Sequence, residues 1–205
     1  MNLATKITFS RILMIIPTIV LYISAYIFPE HKFALLIATA VLFTILCLTD
    51  VIDGAVARRT NTVSDLGKFL DPLADKIVVV VMMFLLTWQS DALNLVQIPF
   101  AGLIFTVLSA VIVSRELIVG IFRAIASQKG KVIAADKLGK LKTDFTNTSV
   151  TILILAPLWV VLSWIGQIGF WISAVLTVVS GIRYIQKNRG VLFDGDMDDA
   201  DKSAA

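Results

Sequence analysis

The chain has 205 residues, 58% of them hydrophobic and 16% charged, with a net charge of +3 at neutral pH and a mean hydropathy of +0.88. Soluble domains are about 45–50% apolar, so this balance excludes an ordinary soluble domain and points to an integral membrane protein whose partners include membrane lipids. A single cysteine excludes an intramolecular disulfide, and the modest net charge gives no reason to expect a nucleic-acid partner.

Apolar runs predict an all-α fold of six transmembrane helices at about 12–28, 33–57, 71–88, 98–122, 146–164 and 168–186, each near the ~20 residues that a bilayer requires. Ahead of them, residues 1–11 read as a short interfacial segment whose polar side faces the cytoplasm. His31 falls in the polar connection 29–32 and is assigned no chemistry, while Cys47 sits in the second apolar run as a packing residue. Residues 60–66 form a turn, after which Pro72 suits a first helical turn. The third helix therefore begins near Asp71, or begins earlier and kinks there. Trp88 marks its far interface.

The fourth run carries Ser114-Arg115-Glu116 and is followed by Arg123, Lys129, Lys131, Lys137, Lys140 and Lys142. The fifth run contains Pro157, a source of kinking, and is joined to the sixth through Gly166-Gln167 as a tight hairpin. Residues 194–205 hold five Asp and one Lys and read as a solvated, disordered tail, leaving 1–193 as one membrane domain. Of the 18 Lys and Arg residues, only Lys32 falls in the connections 29–32, 89–97 and 165–167. Cationic loops remain in the cytoplasm, so both termini are expected there.

The chemistry concentrates between Asp50 and Asp75. The segment reads Asp50-Val-Ile-Asp53-Gly54-Ala-Val-Ala57-Arg58, eight further residues, then Gly67-Lys-Phe-Leu-Asp71-Pro-Leu-Ala-Asp75. Helical positions three or four apart share a face, so two such helices facing each other would gather four carboxylates into one small volume. Like charges in low dielectric demand a counter-charge. Hard divalent cations take oxygen ligands, which favours magnesium, manganese or calcium. No His or Cys lies in the segment, which argues against zinc. Gly54, Ala57 and Gly67 clear space along the same face, and Arg58 supplies a cationic fork for phosphate oxygens. The alternative is a set of solvated charges at helix ends, paired with nearby Lys and Arg.

The pattern D-x-x-D-G-x-x-A-R-x8-G-x-x-x-D-x-x-x-D resembles, position for position, the signature of the CDP-alcohol phosphatidyltransferase family. The resemblance implies transfer of a phosphatidyl group from CDP-diacylglycerol to an alcohol, with release of CMP. It implies one or two Mg2+ or Mn2+ ions on Asp50, Asp53, Asp71 and Asp75, and CDP-diacylglycerol held by Asp50, Gly54, Ala57, Arg58 and Gly67. Asp75 is then the general base and Arg58 a catalytic charge stabiliser. A homodimer in a bacterial cell membrane, with a cytoplasmic active site, is also implied. Near the start, the family pattern P-N-x-[IL]-T-x-x-R is matched by Thr8 and Arg11, while Ala4 and Thr5 replace the Pro and Asn.

Charges such as Arg115 and Glu116 inside an apolar run are costly and mark a functional site by default. The alternative is a structural pair between helices, with the lysines on anionic headgroups. Arg115-Glu116, Arg123 and Gly139-Lys140-Leu141-Lys142-Thr143 resemble the phosphatidylglycerophosphate synthase branch, whose acceptor is glycerol 3-phosphate. That resemblance makes Arg115, Arg123 and Lys142 the receptor for the acceptor phosphate, with Glu116 orienting an arginine. Thr8, Arg11, Lys137 and Lys140 are secondary candidates. Inositol phosphate, serine or a phosphatidyl lipid are alternative acceptors within the family. A divalent-cation transporter would also use intramembrane carboxylates, but Arg58 and the lysines would repel its ion. A prenyltransferase pairs carboxylates with magnesium on helices at different spacings.

Overall fold

A computed structural model describes residues 3–60, 65–89, 99–128 and 137–188; the side chains of 3–8, 50–75, 124, 127, 128 and 137 lie outside that description. Among the described residues, six long helices follow in order: α1 (Leu3–Ile27), α2 (Lys32–Thr60), α3 (Asp65–Trp88), α4 (Ala101–Gln128), α5 (Lys137–Leu155) and α6 (Val160–Asn188). Short 3-10 turns at Pro29–His31 and Ala156–Leu158 join α1 to α2 and α5 to α6. No strand occurs among the described residues, so the all-α expectation holds.

Among the described residues, four segments are long and apolar enough to cross a membrane: Phe9–Ile27, Pro29–Thr49, Ala101–Arg123 and Val160–Asn188. The third helix contributes a shorter apolar stretch, Lys76–Trp88. Its first turns are charged, as are those of α5, which begins with Lys137, Lys140 and Lys142. Cys47 is half-buried and packs against the core, as expected.

Packing departs from that of a soluble bundle, with apolar side chains facing outward as well as filling the core. Leu13, Ile16 and Val20 on α1, Leu103, Val107 and Ile121 on α4, and Val161, Ile172 and Val175 on α6 are all exposed. Ser149, Ser163, Gln167, Ser173, Thr177 and Ser180 are buried between helices. Lipid tails are as apolar as leucine, so helices in a bilayer associate through small residues and interhelical hydrogen bonds rather than through apolar side chains alone. Hydroxyls that find no neighbouring helix bond to their own backbone one turn back. Examples are Thr39 Oγ1 to Leu35 O at 2.8 Å and Thr177 Oγ1 to Ser173 O at 2.7 Å. Aromatic packing completes the centre, with Phe105 stacked on Phe170 at 4.4 Å between ring centroids.

Three sequence expectations change. The hairpin turn lies at Ala156–Trp159, not at Gly166-Gln167, and α6 runs unbroken through both of those residues. Pro157 lacks an N–H and ends α5 outright rather than kinking it, and Trp159 is extended at φ −148° and ψ 128°. Gly166 serves packing instead. A Cβ there would lie 2.7 Å from Leu153 Cγ, and Leu153 is fully buried. Gln167 is satisfied inside the helix by bonding Ser163 Oγ at 3.2 Å. The segment before residue 12 is not a separate element, because α1 is continuous from Leu3. The third helix begins at Asp65, which settles its start in favour of the earlier alternative.

The close approach of α5 and α6 at Gly166 is testable. Gly166→Val should lower thermal stability in detergent by about 1–3 kcal/mol through overpacking. Gly139→Ala, where an added Cβ meets nothing within 4 Å, should be neutral or slightly stabilising. Equal melting temperatures for both variants would contradict the packing described.

Candidate functional site

Helical register extends the buried stripes of α2 and α3 directly into the Asp motif. On α2, Leu36, Ala40, Phe43 and Leu46 are buried, and the same three- and four-residue steps lead to positions 50, 53, 54 and 57. On α3, the buried residues Val78 and Met82 continue the stripe that begins at positions 71 and 75. Four residues separate Thr60 from Asp65, which limits the distance between the two helix ends to about 18 Å. By spacing alone, the motif positions continue those two series. The side chains of Asp50, Asp53, Gly54, Ala57, Arg58, Gly67, Asp71 and Asp75 lie outside the described residues. Among the described residues, no group of three His, Cys, Asp or Glu forms a metal-sized cluster.

The next residue along α3, Lys76, enters a second polar centre. Its Nζ lies 3.3 Å from the backbone oxygen of Glu116 and 3.7 Å from Glu116 Oε2. The other carboxylate oxygen of Glu116 accepts from Arg115 Nη1 at 3.1 Å and from Lys142 Nζ. One carboxylate on α4 thus meets cations from α3, α4 and α5. Charge-assisted bonds of this kind are stronger than neutral ones, and more so away from water. Lys142 is 5% exposed, and pairing with Glu116 offsets part of the cost of burying its charge.

Neighbouring helices hold the cations in place. Arg115 Nη2 donates to Ser180 Oγ on α6 at 3.0 Å. Gly181 leaves room for the side chain, since a Cβ there would lie 3.0 Å from Arg115 Cγ. The backbone oxygen of Lys142 accepts from Ser173 Oγ at 3.3 Å, and Ser173 also bonds Thr146. A pocket opens between α3, α4 and α5, lined by Lys76, Glu116, Lys142, Thr143 and Asn147 above an apolar wall that includes Val79 and Met83. Two turns along α4, Arg123 Nε donates to Tyr184 OH at 3.3 Å, and its guanidinium stands 5.4 Å from the Tyr184 ring centroid. Phe122 packs edge-on against the same ring at 5.8 Å.

Comparison with known proteins gives this geometry a context. The family model for CDP-alcohol phosphatidyltransferase matches residues 1–179. The chain belongs to the CDP-alcohol phosphatidyltransferase family. A protein of Bacillus subtilis (strain 168) named CDP-diacylglycerol–glycerol-3-phosphate 3-phosphatidyltransferase is 34% identical over 195 residues, covering 91% of this chain and 95% of that protein. Relatives with the same name from Salmonella choleraesuis (strain SC-B67) and Shigella flexneri are 30% identical, and each alignment covers 94% of this chain and 98% of the relative. Members of this family are phosphatidyltransferases and generally depend on divalent metal.

Of the residues expected to face the acceptor of such an enzyme, Arg115 and Lys142 are brought together on Glu116. Arg123 is exposed and stands with Tyr184, outside the pocket lining. Lys140 is exposed and does not line the pocket either. Arg11 is buried at 3% exposure on α1, while the side chains of Thr8 and Lys137 lie outside the described residues. Sequence reasoning overlooked Lys76, Ser180 and Tyr184. Lys76 had a signal, being a charge at the start of an apolar stretch. The other two had none, because their partners lie 65 and 61 residues away.

Ser180 gives a direct check of the Arg115 seat. Ser180→Ala leaves a guanidinium N–H without its partner at a residue that is 1% exposed. Thermal stability should fall by about 1–3 kcal/mol, measured by unfolding in detergent. An unchanged melting temperature would show that this hydrogen bond does not hold the arginine.

Proposed function

We propose that the protein transfers the phosphatidyl group of CDP-diacylglycerol to glycerol 3-phosphate, giving phosphatidylglycerol phosphate and CMP. The relatives named for this reaction match along nearly their whole length, which supports that choice over inositol phosphate, serine or a phosphatidyl lipid as acceptor. The observation that carries the proposal is Lys76. It follows Asp75 directly and lines the same pocket as Glu116 and Lys142, so the Asp motif and the cationic centre adjoin.

Arg115 and Lys142 against Glu116 leave a net positive charge among these three residues. A phosphate group on the acceptor is drawn to that charge, whereas serine or plain glycerol carries no such group. In the reaction, the acceptor hydroxyl oxygen attacks the phosphatidyl phosphorus and the bond from that phosphorus to CMP breaks. Asp75 takes the hydroxyl proton. Arg58 stabilises the charge gathering on the departing phosphate. Gly54, Ala57 and Gly67 allow the nucleotide to approach the helix backbone.

The donor set of Asp50, Asp53, Asp71 and Asp75 is all oxygen and suits one or two hard divalent ions, Mg2+ or Mn2+. Such an ion, when bound, neutralises the diphosphate and the leaving group. The diacylglycerol stays in lipid while the acceptor arrives from water, which fits a site at the membrane boundary. All six long helices then cross the bilayer, with α3 and α5 presenting their charged first turns to the cytoplasm beside both termini. The enzyme acts as a homodimer in a bacterial membrane.

Two experiments test this proposal. Initial rates of CMP release from CDP-diacylglycerol should be highest with glycerol 3-phosphate in a panel including glycerol, serine and inositol phosphate. Arg115→Ala should raise the KM for glycerol 3-phosphate about 10- to 150-fold, the equivalent of ~1.5–3 kcal/mol for a charged hydrogen bond, with little change in donor KM. A wild type that ignores glycerol 3-phosphate would exclude this acceptor. Separately, Asp71→Asn should abolish turnover and weaken metal dependence, while leaving the melting temperature unchanged or higher because carboxylate repulsion is relieved. Normal turnover of that variant at saturating magnesium would remove Asp71 from the site.

A further inference from the structure

Lys76 is absorbed neither by the Asp motif nor by the acceptor receptor, yet it is the residue that joins them. It lies one position beyond Asp75, on the helix that carries Asp71 and Asp75. Its ammonium crosses to α4 and contacts Glu116 twice, at the backbone oxygen (3.3 Å) and at the carboxylate (3.7 Å). Gly120, one turn further along α4, lies beneath it, where an added Cβ would stand 3.4 Å from Nζ. Glu116 simultaneously bonds Arg115 and Lys142. A displacement of Lys76 therefore reaches every member of that cation cluster through one shared carboxylate. Elsewhere α3 packs more extensively on α1 than on α4. This polar link thus provides a specific register between the two helices.

We infer that Lys76 is a positioning residue, an inference that rests on the proposed function. Its contacts with Glu116 set the height of the first turns of α3 against α4. They thereby align the helix position of Asp75, the proposed base, with the pocket proposed to hold the acceptor. The substrate consequence is specific. Donor binding depends on the Asp motif and Arg58, and acceptor affinity on the cations of α4 and α5, so loss of Lys76 chiefly impairs their alignment. A misplacement on the order of 1 Å between reacting groups costs roughly 100-fold in rate, even when both substrates still bind.

The test compares Lys76→Met, Lys76→Arg, Glu116→Gln and the double variant Lys76→Met/Glu116→Gln, with initial rates varied in CDP-diacylglycerol and in glycerol 3-phosphate. Lys76→Met should lower kcat by roughly ten-fold or more while each KM stays within about three-fold of wild type, and Lys76→Arg should restore most of kcat. The double variant should lose no more kcat than the worse single variant, because the two residues act through one link. Melting temperatures in detergent separate this from simple unfolding, since Lys76→Arg and Lys76→Met should then differ in kcat far more than in stability. If Lys76→Met is not recovered folded, Lys76→Gln, which keeps a donor for the Glu116 backbone oxygen, should show an intermediate loss of kcat. Wild-type kcat in Lys76→Met or Lys76→Gln overturns the inference. So does an acceptor KM that rises with kcat intact, which makes Lys76 a phosphate ligand instead. The wild type serves as the control for the underlying function. If it does not release CMP with glycerol 3-phosphate, the proposed function fails, whereas an active wild type with unimpaired Lys76 variants sinks this inference alone.

Discussion

The carboxylate of Glu116 is shared by Lys76, Arg115 and Lys142, which come from three helices of a mostly apolar chain. Removing several charges from water is costly unless each is paired and hydrogen-bonded, and here a single acid serves all three cations. That arrangement constrains α3, α4 and α5 together. It also leaves the group with excess positive charge, which suits the proposed anion site. Ser180 and Gly181 extend the constraint to α6 by holding Arg115 through a hydroxyl and an absent side chain. The polar residues at helix contacts are therefore part of the same solution that places the proposed site.

Apolar burial contributes less to specificity than it would in a soluble protein. The outward faces of α1, α4 and α6 are rich in exposed Ile, Leu and Val, which lipid solvates as well as another helix would. Close backbone approach and hydroxyl bonding decide which helices meet. Gly166 lies against Leu153, and a Cβ at Gly169 would stand 2.5 Å from Ser149 Oγ. This packing joins α5 to α6 along most of their length and fixes the rotation of α5, so that Lys142 turns inward while Lys140 stays exposed. A rotation of α5 by two residues, about 200°, would exchange those two lysines and dismantle the cluster.

The chain belongs to the CDP-alcohol phosphatidyltransferase family, and the proposed chemistry lies at the Asp motif shared between α2 and α3. The buried residues of α2 and α3 end at Leu46 and begin again at Val78 among the described residues, and the motif lies between them in the sequence. The proposed donor site thus begins where apolar packing ends. A lipid-anchored donor and a water-soluble acceptor both reach such a boundary, and neither needs to cross the bilayer.

The sequence by itself determined the membrane class, the helical architecture, the Asp motif and the family. Each rests on information local to the chain: apolar run length, spacing of three or four residues along one helix, and residue types that only certain chemistry tolerates. It also singled out Arg115, Glu116 and Lys142, because charges near apolar runs are conspicuous. Tertiary structure decided the rest. Pro157 rather than Gly166-Gln167 ends a helix, since glycine in an apolar helix contact gains more from close packing than it loses in propensity. Lys76 meets Glu116 across 40 residues of chain, and Arg123 pairs with Tyr184 across 61. No periodicity encodes contacts at such separations, because they arise from the rotation of each helix about its axis, which is set by its neighbours and not by its own sequence pattern.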